Sequence, residues 1–111
     1  MNDKLQIILI YKKILNEVYL SMINIPKVHY SFKELVIREM FSYLKKLYLA
    51  NDLSDKVSRK KMKEEVVIEL KYIASLVRLL NEYKVLGEKK YLNIVSNEQL
   101  ILRLMNSWKS I

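Results

Sequence analysis

Apolar residues recur along most of this chain with the period of an α-helix, and between Ser58 and Tyr83 a second, basic stripe runs beside them. At about 100° per residue, Met62, Val66, Leu70, Ile73, Val77 and Leu80 share one face. On the same wheel Lys60, Lys71 and Arg78 fall almost on one line, with Lys63 close by, about 130° from the apolar centre. One side of this segment is therefore built for burial and the other stays basic and wet. A solvated face in a Lys-rich protein explains the basic stripe as readily as a binding surface does.

The pattern before and after this segment predicts three more helices. Over 3–24, Leu5, Ile8, Ile14, Leu15, Val18 and Met22 make one stripe, which Ile7, Ile10, Tyr11 and Leu20 widen. Pro26 disfavours the helical conformation at Ile25, so this helix should stop at about Asn24. A second helix over 31–51 opens on Ser31-Phe32-Lys33-Glu34, a capping box in which Ser31 and Glu34 satisfy each other's amides. Its core stripe is Phe32, Leu35, Val36, Met40, Tyr43, Leu44 and Leu47, and a further stripe of Ile37, Phe41 and Tyr48 lies to one side. That surplus apolar surface fits either a subunit interface or thicker internal packing.

Asn51-Asp52-Leu53-Ser54-Asp55 has the composition of a turn, and the third helix follows over 57–85. Its entry carries Lys56, Arg59, Lys60, Lys61 and Lys63, which oppose the helix dipole. Gly87 is placed to take the left-handed conformation that ends helices. In the last element Ser96 and Gln99 form another capping box, which would start a short helix. The period of Tyr91, Val95, Glu98, Leu102, Met105 and Trp108 runs straight through it, and favours one helix over 88–109. Four helices joined by short loops predict an all-α, up-down-up-down four-helix bundle in a single domain.

Composition narrows the functional classes. One Gly and one Pro leave few breakers for an all-β fold, and no cysteine removes disulfides, thiolate zinc sites and thiol nucleophiles together. The net charge of +8 is spread along the chain and favours polyanions or an acidic protein face as partners. Leu5 to Tyr11 is apolar but too short to span a bilayer, so a cytoplasmic protein with no membrane partner is expected.

Candidate chemistry is sparse. The single histidine, His29, sits in the first inter-helix loop without an evident partner and reads as structural and dispensable. The first arginine, Arg38, follows it, so the Arg-then-His order of HEPN-type helical ribonucleases is absent. There is no Glu-x-x-His pair for a di-iron bundle and no Gly-rich phosphate loop, so neither an enzyme nor a cofactor is expected. Glu64, Glu65 and Glu69 read as solvated partners of Lys60, Lys61 and Lys63. Tyrosine and lysine together can bind single strands, yet Tyr11, Tyr19, Tyr43, Tyr48, Tyr72 and Tyr91 stand at helical positions suited to packing.

The chain nevertheless resembles a family. Ile25-Pro26-Lys27 closing a Tyr-rich first helix, Arg38-Glu39 in the second, Leu76-Val77-Arg78-Leu79-Leu80 in the third and Trp108 near the end are similar to the accessory variability determinant proteins of diversity-generating retroelements. These belong with the small four-helix proteins encoded in intervening sequences of bacterial ribosomal RNA genes. The resemblance implies a non-enzymatic basic protein assembled as a ring of five. It also implies association with a reverse transcriptase and with template RNA or cDNA. The nucleic-acid-binding residues expected on that basis are Lys60, Lys63, Lys71 and Arg78, with Lys27 and Arg59. Ile37, Phe41 and Tyr48 are the expected oligomer interface. Where the family pairs two arginines one turn apart, this chain has Ala74 and Arg78, so Lys71 and Lys60 would act as point charges.

Overall fold

The computed structural model describes residues 3–53 and 55–107, with side chains from Leu5 onward. Helix α1 (Asp3–Ser21) is followed by a 3-10 turn (Lys27–His29), α2 (Tyr30–Asp52), α3 (Lys56–Glu82) and α4 (Glu88–Ser107). Each helix packs on the next and α1 packs on α4, which closes an up-down four-helix bundle 46 Å long. The predicted end of α4, Trp108 and Lys109, lies outside the described residues.

Core positions follow the stripes for α2 and α3. Val36, Met40, Tyr43 and Leu47 face Val66, Leu70, Ile73, Val77 and Leu80 in one buried cluster. Two tyrosines organise its centre. Tyr11 and Tyr43 meet edge to face with ring centroids 5.0 Å apart. The Tyr11 hydroxyl donates to the carbonyl of Met40 at 2.7 Å and the Tyr43 hydroxyl to that of Val66 at 2.6 Å. Each phenol thus ties its own helix to the next, and a buried hydroxyl left without such an acceptor would be costly. Burial pushes both phenols far above the ordinary tyrosine range.

On α1 the stripe is buried except at its ends, where Leu5 and Leu20 are exposed. On α4 the buried seam is Ile94, Glu98, Ile101 and Met105, while Tyr91, Val95 and Leu102 are only half-buried. The helix is turned so that Ile94 and Ile101 join Glu98 and Met105 of the predicted stripe in the core, while Tyr91, Val95 and Leu102 flank the α3 side. Ser96 lies inside the helix, so one continuous element forms here.

Helix ends differ from expectation in three places. Helix α1 stops at Ser21, and its last turn tightens into three-residue bonds, among them Ile23 N–H to Leu20 O and Ile25 N–H to Met22 O. The Ser31–Glu34 capping box does not form, because the Lys27–His29 turn feeds directly into α2. Helix α2 begins at Tyr30 with His29 as its cap residue, so Ser31 is already helical. At the end of α3 the left-handed residue is Lys84, at φ 63°, and not Gly87. Val85 N–H bonds Leu80 O and Lys84 N–H bonds Asn81 O, the paired bonds of a Schellman ending. The reversal comes this early because Leu86 must be buried, and Gly87 is left to accept the first bond of α4 from Tyr91 N–H.

Candidate nucleic-acid interface

Helix α3 carries five of the six expected cations, and Asp55 explains how so basic an entry is tolerated. Its carboxylate accepts from the Ser58 amide at 2.7 Å, satisfying one of the free donors at the helix start. That bond, helped by the nearby Arg59, holds the Asp55 carboxyl below its usual range. The negative cap offsets the positive charge that Lys56, Arg59 and Lys60 add to this terminus.

The stripe is not continuous on the surface. Lys71 and Arg78 are exposed and line a groove between α3 and α4, about 360 Å³ in volume, with Ser75, Tyr91 and Glu98. Lys60 and Lys63 line a separate recess further along α3, beside Glu64, Val67 and Ile68. Lys63 is half-buried and already engaged in an interaction of its own. Two turns of helix set Lys71 and Arg78 about 10 Å apart. Arg78 Nε lies 3.6 Å from Glu82 Oε1, a pair whose arginine side chain is 73% exposed and which water screens.

Lys27 and Arg59 do not join them. Lys27 is exposed in the α1–α2 turn, at one end of the bundle, while Arg59 belongs to the first turn of α3 at the other. Arg59 is half-buried, and its Nε is buried without a hydrogen-bond partner.

Two acids behave differently from expectation. Glu69 Oε1 accepts from Lys46 of α2 at 2.6 Å, and Glu65 Oε2 lies 3.8 Å from the same ammonium. They clamp α3 to α2. Their approach raises the affinity of Lys46 for its proton, chiefly through the Glu69 hydrogen bond.

His29 has a partner after all. Its ring stacks on Tyr83 at 5.1 Å and 16°, and Phe32 meets the edge of Tyr83 at 5.4 Å. These contacts fasten the α1–α2 turn to the end of α3. A role in structure holds for this residue, but the isolation inferred from its place in the loop does not.

The expected subunit interface divides as well. Ile37 is half-buried and packs against the core, whereas Phe41 is 49% and Tyr48 44% exposed. Phe41 lines a groove between α1 and α2, about 290 Å³ in volume, with Lys12, Leu15, Tyr19 and Leu44.

Glu98 was missed by sequence reasoning, although its place in the apolar stripe of α4 was the signal. It is 5% exposed, its Oε2 has no hydrogen-bond partner, and burial pushes its carboxyl up to about 7. Among the described residues no three His, Asp or Glu side chains gather as a metal site, and no helix is long and apolar enough to cross a membrane. Compared with protein-family models, curated proteins and solved structures, the chain matches none.

Proposed function

We propose that this protein is a non-catalytic accessory protein of a diversity-generating retroelement. In this reading it forms a ring-shaped homo-oligomer in the cytoplasm and binds the reverse transcriptase together with template RNA or cDNA. The observation that carries the nucleic-acid part is the exposed pair Lys71 and Arg78 on one side of α3. The opposite side of that helix is pinned in the core, so the two charges are held in fixed relation. A net charge of +8 adds a long-range field of the right sign. The polymerase, the template and the fivefold ring rest on the family resemblance of Arg38-Glu39 and Leu76 to Leu80. Repetition around a ring would join the pairs into a positive surface that one subunit lacks.

The half-exposed Phe41 and Tyr48 support a subunit contact on the α1–α2 side. They equally favour a second reading, a bundle of the ribosomal intervening-sequence type with a protein-interaction role and no dedicated nucleic-acid partner.

Salt dependence separates the two. Each phosphate neutralised on a single strand contributes about 0.7 to the slope of log K against log salt. The double variant Lys71→Glu, Arg78→Glu should therefore bind all single strands more weakly, with the slope reduced by about 1.4. Its fold should persist, since both side chains are exposed. A folded, assembled double variant that binds with an unchanged slope would leave the basic stripe as a solvated face and give the second reading the field. Light scattering in moderate salt tests the ring, which requires a mass several times 13.3 kDa.

A further inference from the structure

The α3–α4 groove holds opposite charges at two depths. Lys71 and Arg78 stand exposed on its α3 wall, while Glu98 of α4 lines the same groove almost completely buried. Its Oε2 has no hydrogen-bond partner. The phenol of Tyr11, on α1, lies within electrostatic reach of Glu98 but donates its proton to Met40 O at 2.7 Å. A buried carboxyl in this position is stabilised when a donor reaches it.

A ligand that satisfies the whole groove must bring negative charge to the rim and hydrogen-bond donors to the floor. A simple cation fails at the rim, where Lys71 and Arg78 repel it. A simple anion fails at the floor, where it meets a carboxyl. An unpaired nucleotide meets both demands, with phosphate oxygens at one end and amino protons on the edge of its base at the other. Tyr91, half-buried in the same groove, offers an aromatic surface for that base. The volume of about 360 Å³ lies within the usual range of small-ligand clefts.

We propose that the α3–α4 groove is a site for one unstacked nucleotide, in which Lys71 and Arg78 hold its phosphates and Glu98 accepts a hydrogen bond from the amino group of its base. The proposal rests on the nucleic-acid reading above and adds a base preference to it. Cytosine presents its N4 amino group to such an acceptor. Uracil replaces that group with a carbonyl oxygen, which faces a carboxyl unfavourably. The site therefore favours cytidine over uridine, two pyrimidines of equal ring size.

The test compares labelled oligocytidylate and oligouridylate of equal length by fluorescence anisotropy, at one salt concentration and pH 8, with the full-length protein. Oligocytidylate should bind tighter by roughly fivefold or more. With Glu98→Leu the ratio should fall to near one while the salt slope stays unchanged. An oligomer of N4,N4-dimethylcytidine, which lacks amino protons, should bind the unaltered protein as oligouridylate does, and this arm requires no variant to fold. Equal binding of the unaltered protein to all three oligomers overturns the nucleotide site but leaves general nucleic-acid binding standing. Tight binding of the dimethylated oligomer, or a ratio that survives in folded Glu98→Leu, removes Glu98 from recognition and overturns the proposal. Failure of every oligomer to bind takes the underlying reading down with it.

Discussion

Two outer grooves of the bundle, similar in size, place their polar groups in opposite ways. Between α1 and α2, Leu15 and Leu44 form the floor, and Phe41, Tyr19 and Lys12 stand around it. Apolar rings are left in water there, and no ionisable group lines the groove except at its rim. Between α3 and α4 the exposed groups are Lys71 and Arg78, and the ionisable group taken out of water is Glu98. Exposed rings gain free energy when another apolar surface covers them. A buried carboxyl destabilises the fold until a proton or a donor reaches it. One architecture thus presents a face suited to a protein and a face suited to a polar, anionic ligand.

The sharpest way to break this comparison is through pH. Burial raises the Glu98 carboxyl from an ordinary 4.5 to about 7. Between those values the folded protein holds a proton that the unfolded chain has released. Stability due to this group is therefore complete below the lower value and falls as pH rises to the upper one, by about 3 kcal/mol in all. Glu98→Gln, neutral throughout, should flatten this part of the profile and be the more stable protein at pH 8. Urea unfolding of both proteins at pH 5 and pH 8 measures it, and parallel profiles would show that Glu98 is not held neutral by the fold. Nothing comparable is expected from changes in the α1–α2 groove.

A smaller effect concerns the contact that ties the ends of the two faces together. His29→Ala removes the stack on Tyr83 and should cost about 1 kcal/mol, as aromatic contacts of this kind do. Denaturant midpoints check this, and oligonucleotide affinity should stay the same, because His29 lies outside the α3–α4 groove. A loss of tenfold or more in affinity would place this end of the bundle in the binding surface.

The smallest effect on the fold, and the most selective for assembly, is expected at Phe41. Because half of its ring is already in water, Phe41→Asp should cost the isolated subunit no more than about 1 kcal/mol. The mass measured by light scattering should nonetheless fall toward that of one chain, whereas Glu64→Arg, on an exposed position of α3, should leave it unaltered. An assembly that survives Phe41→Asp would move the subunit contact away from the α1–α2 side.

Much of this was legible from residue order, and the failures share a cause. The inward faces of α2 and α3 were readable because each repeats over many turns, so one misplaced residue does not shift the period. Ser31–Glu34 and Gly87 failed because several local endings compete within a fraction of a kcal/mol to a few kcal/mol. Burial of Leu86, and the way His29 enters α2, chose between them. Glu65 and Glu69 were assigned to lysines on their own helix because spacing reports only neighbours along that helix. The partner they have, Lys46, comes from α2. Lys60, Lys71 and Arg78 do share one line on the wheel, but the surface around that line separates them into two recesses.

Sequence by itself determined four helices, the faces of α2 and α3 that turn inward, and the wet positions of Lys60, Lys71 and Arg78. These are properties of one helix at a time, governed by the 3.6-residue repeat and the cost of burying charge. Tertiary structure decided the rotation of α4, the clamp of two carboxylates on Lys46, and the stack of His29 on Tyr83. It also decided that Lys71, Arg78 and Glu98 line the same groove. Each depends on which side chains of separate helices meet, a choice set by packing the whole core at once. That collective packing is why an acid in the apolar stripe of α4 could be seen in the sequence, while the cations beside it could not.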